Sequence, residues 1–319
     1  MRRAMADAEV GDDGFDDDPT VHRLQEAFAE RVGQPAALFM PSGTMANQVA
    51  LRALAPAGTS VLVGRRQHVV SHEGGAFGLN QVAQLHVLDD HDGTLDPAEI
   101  AWLLEGSRHR WPRPSVVCVE NTHLASGGRA WSLDAYQAVV DVGVPVHLDG
   151  ARLFNASVAT GVDPAAYGAP AASVTACLSK GLGAPIGSLL AGPRDFVDAA
   201  RMERKRMGGG MRQVGILAAA GLVALDTMVD RLADDHDRAR RLLAAVEDRW
   251  PGSNRGAPPE LTTNIVLFDH PDPLALLGHL AGEGIGAVTL GPRLVRLVTH
   301  HDVDDEGIDR AVAALKGAP

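Results

Sequence analysis

The sequence predicts an α/β protein: a mainly parallel sheet with helices on both faces, then a small α+β domain at the C-terminus. Three observations carry that prediction. Short apolar runs alternate with helical patterns over residues 36–191, the rhythm of strands joined by crossover helices. A Gly/Pro-rich stretch over 251–259 follows a long helical region. Beyond it, a strand, helix, strand, helix pattern restarts on a smaller scale. Three regions result: an N-terminal segment over 1–34, a large domain over 35–250 and a small domain over 251–319.

Residues 1–18 are polar, with acids from Asp12 to Asp18. Asp18-Pro19 opens the first helix, over 19–33, as an Asp cap with proline at the first helical position. Val21, Leu24, Phe28 and Val32 recur at helical spacing, and Gly33 suits the stop. Residues 36–40 read as a strand, 41–44 as a turn and 45–55 as a helix. Strands are expected at 60–63, 84–88, 115–119 and 144–148, with helices at 97–104 and 133–142. Two further strands, 174–178 and 186–191, flank a glycine-rich loop. Residues 194–250 read as helical, with a break at glycines 208–210. The tail supplies strands at 264–268 and 295–299 and helices at 273–283 and about 304–315.

The 319 residues suffice for one large domain plus a smaller one, and 45% hydrophobic with 22% charged residues is ordinary globular composition. A net charge of −11 argues against nucleic acid or an anionic membrane as partner. The basic cluster at 201–206 lies in a helical pattern and reads as a solvated face or subunit contact. The apolar run 215–225 is too short to span a bilayer, and no apolar core of a signal peptide follows Met1, so a cytoplasmic location is expected. Cys118 and Cys177 sit in apolar runs and are expected as buried reduced thiols on neighbouring strands.

Two runs carry the chemistry. Val146-His147-Leu148-Asp149-Gly150-Ala151-Arg152 ends an apolar strand in an acid, and Cys177-Leu178-Ser179-Lys180-Gly181-Leu182 ends another in a lysine. This pair suits pyridoxal 5'-phosphate (PLP): a lysine amine condenses with the aldehyde, and a carboxylate pairs with the protonated pyridine nitrogen. Taken singly, Asp149 is equally a loop acid satisfied by Arg152, and Lys180 a surface lysine. In Pro41-Ser42-Gly43-Thr44-Met45-Ala46-Asn47 a helix start follows a strand, so Gly43 and Thr44 can cradle a phosphate; a plain capped helix explains the same residues. His68 can stack on a pyridine face, and His123 can touch substrate or relay a proton; either is equally a loop histidine. Arg152 and Arg296 are candidate carboxylate clamps, although a strand arginine can simply face water. His300-His301-Asp302 with Asp304 and Asp305 reads as a solvated loop leading into a helix, and no metal site is expected.

These residues together resemble the low-specificity L-threonine aldolase family, PLP enzymes of fold type I, the aspartate-aminotransferase fold group. The likeness runs through Glu9-Val10-Gly11-Asp12-Asp13, Asp18-Pro19-Thr20-Val21, the Pro41–Asn47 segment, Glu120-Asn121-Thr122-His123, Asp149-Gly150-Ala151-Arg152, Leu178-Ser179-Lys180-Gly181-Leu182, Gly208-Gly209-Gly210-Met211-Arg212-Gln213 and Arg296-Leu297-Val298-Thr299-His300. The resemblance implies that Gly43 and Thr44 hold the phosphate, His68 stacks on the ring, Asp149 pairs with its nitrogen and Lys180 carries the cofactor as a Schiff base. It further implies that Arg152 and Arg296 hold the substrate carboxylate. Arg212 would reach a neighbouring subunit's phosphate in a homotetramer with active sites at subunit boundaries. The implied reaction is retro-aldol cleavage of L-threonine or L-allo-threonine to glycine and an aldehyde. Another PLP-dependent β-eliminating lyase, or a catalytically impaired paralogue, remains the alternative. The family pattern includes an Arg-Ser-Asp-Thr-Val-Thr segment ahead of Met1, whose serine helps bind the carboxylate and which this sequence does not carry. Phe15, Asp16, His72 and Leu124 stand where the family usually has Tyr, Gly, another aromatic and Asn.

Overall fold

The computed structural model describes residues 1–256, 258 and 261–318. Of the linker expected over 251–259, Ala257 and Pro259 lie outside the described residues.

Seven strands build the large sheet: β1 (Ala36–Met40), β2 (Ser60–Gly64), β3 (Gln84–Leu88), β4 (Pro114–Glu120), β5 (Val146–Asp149), β6 (Ser173–Cys177) and β7 (Ser188–Gly192). Their spatial order is β1-β7-β6-β5-β4-β2-β3. Neighbours from β6 through to β3 pair parallel, whereas β7 is antiparallel to both β6 and β1. The reason is loop length. Residues 178–187 between β6 and β7 are too few for a crossover helix, so the chain turns back as a hairpin.

Covered on both faces, β2, β4, β5, β6 and β7 are buried almost throughout, and apolar residues dominate β2, β4 and β7. Alternation then sorts residues to the two faces. Phe39, Val119, Leu148, Val174 and Leu189 join Val21, Leu24 and Phe28 of helix Pro19–Arg31 in one core. Leu38, Met40 and Leu190 meet Val49 and Ala50 of helix Gly43–Leu54 and Ala200 of helix Arg194–Arg206 on the other face.

The small sheet comprises β8 (Ile265–Asp269), β9 (Val288–Thr289) and β10 (Leu294–Val298) in the order β8-β10-β9, all antiparallel. Val266, Phe268, Val295 and Leu297 pack on helices Pro273–Gly282 and Asp305–Lys316. Helix Leu232–Arg249 contributes Leu242, Leu243 and Val246 to this same core.

The helical region 194–250 is three helices, Arg194–Arg206, Gly215–Thr227 and Leu232–Arg249. Its first break falls at Gly208, whose φ of +79° ends a helix cheaply. Helix Gly43–Leu54 starts two residues before the expected boundary, because Ser42 caps it by accepting from the Met45 N–H. Short helices Leu153–Thr160 and Pro164–Gly168 were not expected, although Asp163-Pro164 carries the same cap signal as Asp18-Pro19. One expectation is corrected. Cys118 and Cys177 are buried free thiols, but they lie on β4 and β6 with β5 between them. Strand neighbours follow sheet order, which local sequence does not encode. Among the described residues, no helix is long and apolar enough to cross a membrane.

Candidate active site

Parallel strands present their C-terminal ends along one edge, where open α/β sheets bind ligands. Asp149 ends β5, the central strand, level with Glu120 of β4 and Thr175 of β6. Gly150 follows because nothing larger fits: a Cβ there would lie 2.4 Å from the Thr175 carbonyl oxygen. The resulting turn leads through Arg152 into helix Leu153–Thr160. Lys180 sits in the loop after β6, which Gly183 and Gly187 shape at φ +70° and +107°. Its amine has no hydrogen-bond or ion-pair partner among the described residues.

The start of helix Gly43–Leu54 packs on this edge. A Cβ on Gly43 would lie 2.7 Å from Cys177 Sγ, so glycine is what lets the helix approach the end of β6. Met45 donates to the Ser42 cap, and the N–H groups of Gly43 and Thr44 find no acceptor among the described residues. Two free donors at the positive end of a twelve-residue helix suit an anion.

Asp149, Glu73 and His68 each bring a ligand atom within 4.8 Å of the others. His68 Nδ1 lies 3.0 Å from Glu73 Oε1, and the His68 backbone N–H donates to Glu120 Oε2 at 2.6 Å. Burial alone would lower the His68 pKa; the Glu73 hydrogen bond and the charges of Asp149, Glu73 and Glu120 outweigh it and hold the imidazole above its usual value. Burial raises the Glu120 carboxyl against the pull of His123, and Asp149 adds to the rise.

Arg296 reaches the site from β10 of the small sheet. Val295 and Leu297 point into the second core, which leaves Arg296 on the opposite face of β10. Burial lowers the pKa of both guanidiniums, and the charge of Arg296 lowers Arg152 further. Neither has a carboxylate partner among the described residues, and Nε of each is buried without a hydrogen bond. Two half-buried guanidiniums whose charges act on each other, each with an unpaired buried Nε, are costly unless an anion enters between them.

The other candidates have partners of their own. His123 is wholly buried, with Nδ1 at 2.9 Å from Ser126 Oγ and Nε2 at 3.1 Å from Asp90 Oδ2, so both ring nitrogens are engaged inside the protein. Arg212 is exposed, bonded to Asp12 at 2.8 Å and 5.7 Å from the Phe15 ring centroid, and does not join the cluster.

A model of the β-eliminating lyase family matches residues 1–268. Low-specificity L-threonine aldolase 1 of Arabidopsis thaliana is 37% identical over 333 residues, spanning 100% of this chain and 92% of the relative. The low specificity L-threonine aldolase of Escherichia coli K12 is 38% identical over 315 residues, spanning 98% and 93%. The chain belongs to the low-specificity L-threonine aldolase family. It is accordingly a PLP-dependent lyase of fold type I. Among solved structures, Leishmania major threonine aldolase superposes with a TM-score of 0.82 at 21% identity, covering 97% of this chain and 91% of that one. A putative L-allo-threonine aldolase from Listeria monocytogenes gives 0.81 at 21%, covering 99% and 93%. At that identity the structures speak for the fold alone.

The site fits the family's cofactor by its own unsatisfied groups: free helix-start donors for a phosphate, a strand-end carboxylate for a ring nitrogen and an unpaired lysine for an aldehyde. Sequence reasoning missed Asn47, Gln48, Glu73 and His147, which line the same cluster. Spacing held a partial signal. Asn47 lies one turn after Gly43 on the same helix face, and Glu73 lies five residues after His68.

Proposed function

We propose that this lyase cleaves L-threonine or L-allo-threonine to glycine and acetaldehyde by breaking the Cα–Cβ bond. The observation that carries the reading is the unpaired Arg152 and Arg296 facing the site that holds Asp149 and His68. Gly43 and Thr44 would bind the cofactor phosphate, Asp149 its ring nitrogen and Lys180 its aldehyde carbon. His68 would lie against the ring. When bound, the cofactor supplies an electron sink for the pair released at Cα.

The chain's own residues do the rest. Arg152 and Arg296 grip the substrate carboxylate through parallel N–H bonds, which fixes the rotation about the bond from nitrogen to Cα. Lys180 would hold the cofactor and lie beside the reacting carbon. The β-hydroxyl proton needs an acceptor. His68 fits, since Glu73 holds Nδ1 while Nε2 has no partner among the described residues. Arg212, exposed beside Phe15, would reach the phosphate of a second subunit, and a cytoplasmic homotetramer belongs to the same reading. The large and small domains proposed for 35–250 and 251–319 would close on the substrate, Arg296 coming from the second.

The test is a product assay with L-threonine, L-allo-threonine, phenylserine and cysteine. Glycine and an aldehyde from the β-hydroxy substrates support the reading. Pyruvate from cysteine with no aldehyde from threonine makes the chain a β-eliminating enzyme instead.

A further inference from the structure

Behind Asp149 lies a hydrogen-bonded chain that the reaction as described does not use. Asn47 Nδ2 donates to Asp149 Oδ2 at 2.7 Å and to Glu73 Oε1 at 2.9 Å. Its Oδ1 lies 3.1 Å from His147 Nε2, and His147 Nδ1 lies 2.8 Å from Ser173 Oγ. All five residues are buried.

The proton positions follow from the inventory of donors. Two carboxylates can only accept from Asn47, so its nitrogen must face them and its oxygen must face His147. His147 therefore carries its proton on Nε2, and Nδ1 accepts from the Ser173 hydroxyl. Burial depresses the His147 pKa to about 4, which keeps the ring neutral and this tautomer in place. The two carboxylates end up unlike. Glu73 meets Asn47, Gln48 at 2.7 Å and His68 at 3.0 Å. Asp149 meets only Asn47 and the Ala151 N–H at 3.1 Å. Each carboxylate oxygen accepts two bonds, so Asp149 keeps an open position on both oxygens, whereas Glu73 keeps one in all, on the oxygen that meets Gln48.

We propose that Asn47, locked by His147 and Ser173, is a positioning residue that aims the Asp149 carboxylate at the cofactor's ring nitrogen and keeps it an acceptor. If the amide turned over, its oxygen would confront two anions, and Asp149 would lose its charge-stabilising donor. Glu73 shares the same amide, so the aim of Asp149 and the hold on His68 are set by one side chain. The proposal rests on the PLP reading above and adds Asn47, His147 and Ser173 to it.

The experiment compares dissociation constants of the cofactor-stripped full chain for PLP and for 1-deaza-PLP, which lacks the ring nitrogen. Asn47→Ala is expected to weaken PLP binding by about tenfold or more, in line with loss of a buried charge-assisted hydrogen bond. It should leave 1-deaza-PLP binding within about twofold, the additivity limit for a contact the analogue cannot make. Equal weakening of both ligands overturns the proposal, since a packing defect does not distinguish them. Should Asn47→Ala fail to fold, His147→Phe keeps the ring volume and removes the donor to Asn47; an unchanged ratio of the two constants in that variant overturns the proposal too. Asp149→Asn separates the two levels. If it fails to change the ratio, the assignment of Asp149 to the ring nitrogen is wrong; if it changes the ratio while Asn47→Ala does not, only the role of Asn47 falls.

Discussion

Replacing Arg296 by Ala should damage activity without damaging the fold. The two expectations come from one feature of the site. Arg296 is a half-buried guanidinium with its buried Nε unpaired, and its charge depresses the pKa of Arg152. Its removal relieves a like-charge contact and the burial of a charge, so the melting temperature should hold or rise. A substrate carboxylate, by contrast, loses a charge-assisted pair of bonds. At about 1.5–3 kcal/mol for such an interaction, kcat/KM should fall roughly tenfold to a hundredfold or more. The loss should fall on KM, with PLP still bound. The assay is steady-state aldehyde release from L-threonine beside thermal unfolding of the same samples. 1-Amino-2-propanol, which lacks the carboxylate, serves as a competing amine whose inhibition constant should not move. A drop in melting temperature with unchanged kcat/KM would make Arg296 a structural residue and remove the clamp.

Two further outcomes are expected. Burial holds His147 and His236 at about pKa 4, below the ordinary 6.5, so unfolding lets each imidazole take up a proton. Their stabilisation is full above about pH 6.5 and falls as pH drops towards 4, by up to about 3 kcal/mol each. Urea unfolding at pH 7 and pH 5 should show that loss, and His236→Gln, which keeps an acceptor for Asn155, should remove about half of it; equal stability of the wild type at both pH values contradicts the assignment. Gly43→Ala places a methyl 2.7 Å from Cys177 Sγ and should cost about 1–3 kcal/mol by overpacking, together with PLP affinity. Adding Cys177→Ala should restore both, and no rescue would mean that Gly43 is needed for something other than clearance.

The parts legible in sequence were those with a local signature. Apolar runs ending in Asp149 and Lys180 marked strand ends, and strand ends in this architecture are where ligands bind. Alternation in β10 put Arg296 off the core face. The Asp18-Pro19 cap fixed the start of the first long helix at Pro19. What stayed hidden depends on sheet order and on contacts far apart in sequence. Asn47 meets Asp149 across 102 residues and His147 across 100, and a lone polar residue on an apolar helix gives no hint of such partners. The same cause misplaced Cys118 and Cys177 as strand neighbours. His123 shows the converse: a loop histidine with an attractive motif proves to be enclosed by Asp90 and Ser126, a pairing visible only once the loops after β3 and β4 come together.

The central claim is that the amine of Lys180 and the carboxylate of Asp149 serve one bound cofactor. Borohydride reduction of the protein saturated with PLP, followed by peptide mass spectrometry, tests it most directly. One pyridoxyl group per chain is expected, on Lys180, and none on that peptide in Lys180→Ala. Reduction that labels Lys205 or Lys316 instead, or labels Lys180→Ala as fully as the wild type, would contradict it.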